Sequence, residues 1–136
     1  MTVRTGGCLC GAVRYEVEGE IAPIQLCHCG QCRKAQGGPF AANAPVSAAG
    51  FRLLRGAEAL KEYRASPGKR RVFCGACGGP IFSQRDETPE TLRLRVGALD
   101  DTTGLTIGFH IQAASKAAWW PIDDDRPRFP DDGPSM

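Results

Sequence analysis

The chain carries seven cysteines in three groups: Cys8-x-Cys10, Cys27-x-Cys29-x-x-Cys32 and Cys74-x-x-Cys77. The start, MTVRTGGCLC, has no apolar leader core. In a reducing compartment, grouped cysteines read as metal ligands or catalytic thiols before disulfides. Soft thiolates at these spacings select Zn²⁺ over oxygen-seeking cations. Residues two apart on an extended strand point to the same side, so Cys8 and Cys10 can grip one ion together. In Cys74-Gly75-Ala76-Cys77-Gly78-Gly79 the small residues let the backbone turn around an ion and aim N–H groups at sulfur.

Seven thiolates divide naturally into four and three. Four close a structural zinc site, whereas three leave a coordination position open to water or substrate, the pattern of a reactive centre. Cys29 and Cys32 with Cys74 and Cys77 would make a ribbon-like four-thiolate centre and strand the other three cysteines. Cys8 and Cys10 with Cys74 and Cys77 would leave Cys27, Cys29 and Cys32 as a triad within six residues. The second partition is preferred, because a local triad closes on an ion without long-range help. Arg33, Lys34, Arg70 and Arg71 stand close enough in sequence to moderate the negative charge.

Other residues have plainer alternatives. Arg33 and Lys116 are the best candidates for binding a substrate carboxylate, against a default of solvated charge. His110 either reaches the second zinc or a substrate, or is a satisfied structural histidine, which is favoured. His28, between two proposed ligands, is expected behind them or at the surface. Phe40, after Gly37-Gly38-Pro39, is a candidate pocket lining or core residue. Trp119-Trp120 is expected as buried ballast for a small core, Asp100-Asp101 as a turn, and Gly6-Gly7 and Gly78-Gly79 as turn glycines.

These residues must be positioned by short strands. Val13, Tyr15 and Val17 alternate on one face, as do Leu92, Leu94 and Val96, and Ile107, Phe109 and Ile111. Further strands are expected at Ile24 to Cys27, Phe51 to Leu54, Leu60 to Tyr63, Arg70 to Phe73 and Ile81 to Ser83, with one two-turn helix at Gln31 to Gln36. With 17 Gly and 10 Pro in 136 residues, the reading is an all-β domain over residues 1–122. An acidic, Pro-containing tail, irregular or frayed, is expected over residues 123–136. Residues 123–136 carry five Asp and two Arg, which leaves the rest of the chain net positive and Arg-rich. No basic run is long enough to argue for nucleic acid and no apolar run for a membrane span, so the expected address is cytoplasmic.

GGCLCGAVRYEV, CHCGQCRKAQGGPF, FCGACGGPIFS, VGALDD and HIQAASKAAWWPIDDDRPRF together resemble the glutathione-dependent formaldehyde-activating enzyme family, which also contains centromere protein V. The resemblance runs from about Gly6 to Phe129. It implies a zinc-bound β-tent of twisted antiparallel sheets. It also implies a structural zinc at Cys8, Cys10, Cys74 and Cys77, and a labile, reactive zinc at Cys27, Cys29 and Cys32. The implied activity joins glutathione to formaldehyde, giving S-(hydroxymethyl)glutathione, and is classed as a carbon–sulfur lyase in the reverse sense. The substrates would be glutathione or another small thiol and a small aldehyde, with Arg33, Phe40, His110 and Lys116 as candidates around them. The centromere protein V branch implies the alternative, a non-catalytic zinc module that binds a protein partner.

Overall fold

The computed structural model describes residues 2–133. Ten strands and one helix follow one another: β1 (Val3–Gly7), β2 (Arg14–Glu18), β3 (Ile24–Cys27), α1 (Gly30–Gln36), β4 (Ala41–Ser47), β5 (Phe51–Arg55), β6 (Leu60–Ser66), β7 (Lys69–Cys74), β8 (Pro80–Arg85), β9 (Thr91–Arg95) and β10 (Ile107–Ile111). They form a three-stranded sheet, β1-β2-β5, and a seven-stranded sheet, β10-β3-β4-β9-β8-β7-β6. All pairs are antiparallel except β10 with β3, which run parallel. The expected β architecture with one short helix is what forms.

The core lies between the sheets. Val13, Tyr15 and Val17 are buried on the small sheet, as their alternation requires, and Phe51 stacks on Tyr15 with ring centroids 5.0 Å apart. Facing them, Val72, Phe82, Leu94 and Ala44 are aligned across β7, β8, β9 and β4. Phe51 bridges the layers, meeting Phe82 edge-on at 5.4 Å. Each such buried side chain stabilises the fold by about 1.5–3 kcal/mol.

Two strands escape sequence reading. β4, with sequence AANAPVS, is poor in β-branched and aromatic residues, yet it lies in the middle of the large sheet. Its Pro45 is tolerated because β3 pairs only as far as Gln25 with Asn43. In that register Pro45 falls opposite Pro23, another residue without an N–H. β1 contains Gly6 and Gly7, which the sequence reading assigns to a turn. Gly6 is in fact a strand residue packed against Tyr15: a Cβ there would lie 2.5 Å from the Tyr15 hydroxyl and 2.6 Å from the Ala98 carbonyl.

Residues beyond Asp123 are irregular as expected, but not frayed. His110 N–H donates to the Pro127 carbonyl, Phe129 N–H to the His110 carbonyl, and Gln112 N–H to the Asp131 carbonyl, at 2.7–2.9 Å. This segment is bound along the outer edge of β10 through Gly133, and Pro134 to Met136 lie outside the described residues. Among the described residues no helix is long and apolar enough to cross a membrane.

Candidate metal centres

The four-cysteine group stands where the two sheets meet. Cys8 and Cys10 come from the turn between β1 and β2; Cys74 ends β7, and Cys77 sits in the turn leading to β8. Local backbone bonds shape both arms. Cys8 N–H donates to the Val13 carbonyl, while Cys74 N–H donates to Gly79 and Gly78 N–H to Cys74. Gly78 has φ +78°, the left-handed conformation that makes glycine the natural residue at this knuckle. The Val13 and Gly79 N–H groups donate to the Cys8 and Cys77 sulfurs at 3.2 and 3.4 Å. The Cys10 and Gly79 backbones hold the Cys77 thiol down, to about 6.

All four sulfurs lie within 4.8 Å of one another, with Cys8 to Cys10 at 3.6 Å and Cys10 to Cys74 at 3.9 Å. Zn–S bonds of about 2.3 Å at tetrahedral angles place sulfurs about 3.8 Å apart, so the group fits a zinc ion. The ribbon-like alternative, pairing Cys29 and Cys32 with Cys74 and Cys77, does not form.

The three-cysteine group is assembled by one strand end and one helix start. Cys27 ends β3, Cys29 is the N-cap of α1, and Cys32 lies in its first turn. The Cys29 sulfur accepts from Cys32 N–H at 3.3 Å, so one ligand caps the helix that carries another. Gly37, with φ +67°, closes α1 and sends its N–H back to the Arg33 carbonyl. Cys27 and Cys32 are buried, Cys29 is half-buried, and the three sulfurs again lie within 4.8 Å of one another. Hydrogen bonds from Cys29 and Cys32, with burial, push the Cys27 thiol up. The Cys27 and Cys29 hydrogen bonds hold Cys32 down against burial, with further help from Lys69 and Arg71. A bound cation would displace the proton that Cys27 keeps. This group too could hold zinc.

Behind the triad lies a buried polar chain. His28 Nε2 is 2.8 Å from His110 Nδ1, and His110 Nε2 is 3.0 Å from Asp124 Oδ2. His28 is fully buried and His110 is 1% exposed. Burial, then the His110 and Lys116 charges, lowers His28 to about 4, so His28 is neutral near pH 7. One proton is shared between His28 Nε2 and His110 Nδ1, and His110 Nε2–H donates to Asp124. His28 N–H also donates to the Ile111 carbonyl at 3.0 Å, fixing the loop between Cys27 and Cys29 from both backbone and side chain.

The other expected residues are placed unevenly. Phe40 lines a cleft of about 490 Å³ together with Leu9, Gln36, Arg95, Gly97 and Asp100, and its ring meets His28 edge-on at 5.5 Å. The cleft reaches from Cys8 to Gln36, which is four residues after Cys32 and so on the same face of α1. Arg33 is half-buried and its Nε makes no hydrogen bond. Lys116 is exposed and donates to the Ala117 and Trp120 carbonyls. His110 hydrogen-bonds to His28 and Asp124 rather than to a cysteine. His28 is not at the surface but in the interior.

The tryptophans are not ballast: Trp119 is 67% and Trp120 36% exposed, because the segment after β10 turns outward and Trp120 packs only its edge on Phe40. Asp100 makes an ion pair with Arg14 and accepts from the Thr5 hydroxyl, tying the loop after β9 to the small sheet. Arg70 turns to Glu62, Gln84 and the Phe82 ring, whereas Arg71 reaches Cys32 Sγ at 3.7 Å.

Sequence reasoning missed Lys69, Arg93, Arg95, Asn43 and Asp124. Arg93 and Arg95 alternate with leucines and read as a solvated face, but α1 covers that face and each is only 5% exposed.

Fold and site together define a β protein of two sheets with two separate thiolate groups, each shaped for zinc. Residues 3–115 match the family model described as glutathione-dependent formaldehyde-activating enzyme. A Halomonas elongata protein provisionally named a glutathione-dependent formaldehyde-activating enzyme is 32% identical over 127 residues, covering 87% of this chain and 80% of that one. The crystal structure of a Rhodobacter sphaeroides protein superposes with a TM-score of 0.63 at 32% identity, covering 74% of this chain and 91% of that one. The chain belongs to the glutathione-dependent formaldehyde-activating enzyme family.

Proposed function

We propose that this protein is a zinc-dependent enzyme of the carbon–sulfur lyase type, resembling S-(hydroxymethyl)glutathione synthase. In this reading a small thiol, glutathione first, meets a small aldehyde at Cys27, Cys29 and Cys32. Cys8, Cys10, Cys74 and Cys77 hold a structural ion, and the working compartment is the cytoplasm, where thiols stay reduced. The observation that carries the reading is the triad itself: three convergent thiol ligands with no fourth protein ligand among the described residues. Zinc bound there would supply Lewis-acid stabilisation of a thiolate or an aldehyde oxygen.

The chain's own residues do the rest. Cys29 and Cys32 are held by α1, and Cys27 by β3. The His28–His110–Asp124 chain fixes the loop between them, and Phe40 shields one wall of the cleft from water. In the reaction the thiol sulfur forms a bond to the aldehyde carbon. The carbonyl π pair becomes an alkoxide, and the proton lost from sulfur ends on that oxygen, so nothing is oxidised or reduced. Holding both reactants in one cleft makes this addition effectively unimolecular.

Exchange spectroscopy of glutathione, formaldehyde and their adduct tests the proposal. The zinc-loaded protein should raise the exchange rate above the spontaneous one, and Cys29→Ala should abolish the increase. An unchanged rate with both sites loaded would leave the second reading ahead, a zinc module that binds a protein partner. That reading is favoured by Leu9 and Trp119, 90% and 67% exposed.

A further inference from the structure

The two faces of the large sheet are unlike. Val72, Phe82 and Leu94 face the core, while the opposite face beneath α1 carries Lys69 and Arg71 of β7, Ser83 and Arg85 of β8, and Arg93 and Arg95 of β9. Asn43 of β4 lies directly opposite Arg95. Burying a guanidinium is costly unless an anion and well-formed hydrogen bonds satisfy it.

Arg95 donates to Gln36 Oε1 at 2.7 Å, Ser83 Oγ at 3.2 Å and the Arg93 carbonyl at 3.1 Å, all neutral acceptors. Among the described residues, Lys69, Arg71 and Arg95 make no ion pair with a carboxylate. Arg71 Nη1 and both amide atoms of the buried Asn43 side chain have no hydrogen-bond partner. Asp132 stands at the rim, 3.6 Å from Arg85 Nη2, and its charge reaches Arg93.

A zinc ion with three thiolates carries one net negative charge, against Lys69, Arg71 and Arg95, which have no carboxylate partner among the described residues. Burial lowers Lys69; the Cys32 charge opposes this, and the smaller effects of Arg71, Arg93 and Arg95 add to the lowering. These three carry more positive charge than the triad can neutralise, with Arg95 buried and Lys69 and Arg71 half-buried.

We propose that the covered face between Arg71 and Arg95, with Asn43, is the anchor for a carboxylate of the thiol substrate. The identity of that anion rests on the function proposed above; the need for one does not. Arg71 touches both Cys32 and this face, so a carboxylate held here lies within one small molecule's length of the triad. Arg95 and Gln36 present the same face to the cleft. Paired guanidiniums bind a carboxylate bidentately, and the Asn43 amide offers a further donor. The anchor selects thiols that carry an acid group and replaces Arg33 and Lys116 as the primary contact.

Calorimetry on the zinc-loaded full chain compares glutathione with its dimethyl ester, which keeps the thiol and removes both carboxylate charges. Succinate serves as a competitor without a thiol. Glutathione should bind about tenfold or more tighter than the ester, and succinate should compete with it. Arg95→Gln and Arg71→Gln should each reduce that preference about tenfold.

Equal affinity for glutathione and its ester in the unaltered protein would overturn the anchor, as would no binding of any of the three. A preference that survives in folded Arg71→Gln protein would also overturn it. Should Arg95→Gln fail to fold, the ester comparison and Arg71→Gln still decide. Carboxylate-dependent binding without faster adduct exchange would keep the anchor and remove the proposed reaction. Faster exchange with equal affinity for the ester would do the reverse.

Discussion

The two cysteine groups use the same chemistry in opposite structural circumstances. Cys8, Cys10, Cys74 and Cys77 come from two turns on different sheets, more than sixty residues apart in sequence, and have backbone N–H groups as their donors. Cys27, Cys29 and Cys32 come from one strand–helix junction and sit between a histidine chain and a cationic sheet face. An ion at the first group would tie the two sheets together. An ion at the second would only cap a segment that strand pairing and α1 already hold. The difference teaches that ligand type does not set a metal's role; what the ligands connect does.

The comparison breaks first at its strongest point. Cys77→Ser should give insoluble protein or a chain without a cooperative melt. Structural zinc contributes on the order of 10 kcal/mol apparent free energy, more than a domain of this size keeps in reserve. Wild-type melting of that variant would show that the four-cysteine group does not join the sheets.

Next in size is the effect at the triad. Cys32→Ser should remove one zinc equivalent and the adduct exchange while the circular dichroism spectrum and melt stay close to wild type. Graded chelation of the unaltered protein should do the same with its first equivalent. Collapse of the fold at that first equivalent would erase the distinction between the groups.

Acidification sharpens the contrast. Zinc binding requires deprotonated sulfur, so lowering the pH adds protons and expels the ion. Each group has a thiol that takes a proton back early as the pH falls: Cys27, pushed up by its bonds to Cys29 and Cys32 and by burial, and Cys10, pushed up to about 11, against the Ala12 backbone, by its bond to Cys8. The groups differ in ligand number, so the triad, with three thiolates instead of four, releases its ion first. A dye-monitored titration from neutral to acid should show two release steps, the triad first and the loss of fold with the second. A single step would contradict the separation.

The smallest effect is expected at Asp124→Asn, which weakens the partner of His110 without touching a cysteine. Removing bonds that support a ligand usually costs about 10–100-fold in metal affinity, and the low end is expected here because Asp124 acts through two histidines. Competition with a chelator should show faster zinc loss from the triad alone, with a melting temperature within a few degrees of wild type. Equal loss from both groups would mean that the histidine chain supports the whole fold rather than the loop between Cys27 and Cys29.

Much of this was legible beforehand where the determinants are local. The alternation of Val13, Tyr15 and Val17 named a buried face, and Gln31 to Gln36 named the helix. Cys27, Cys29 and Cys32 were already close because six residues cannot separate far. What stayed illegible lacked a local signal. β4 has few β-forming residues and is a strand because β3 and β9 flank it. Trp119-Trp120 reads as core by composition, yet the chain direction after β10 turns it outward. His28 reads as either behind two ligands or at the surface, and only β10 and the Asp124 segment, which enclose it, decide for the first.

The sequence by itself determined the sheet-forming alternation, the thiolate chemistry and the compact triad, because strand periodicity and short cysteine spacings act over a few residues. Only the tertiary structure decided that Cys8 and Cys10 meet Cys74 and Cys77, and that Arg71 turns to Cys32 rather than to the nearby knuckle. It alone also decided that Arg93 and Arg95 lie under α1 instead of in water. An alternating strand has two faces, and its sequence cannot say what covers the second one; that depends on a helix carried by a different strand.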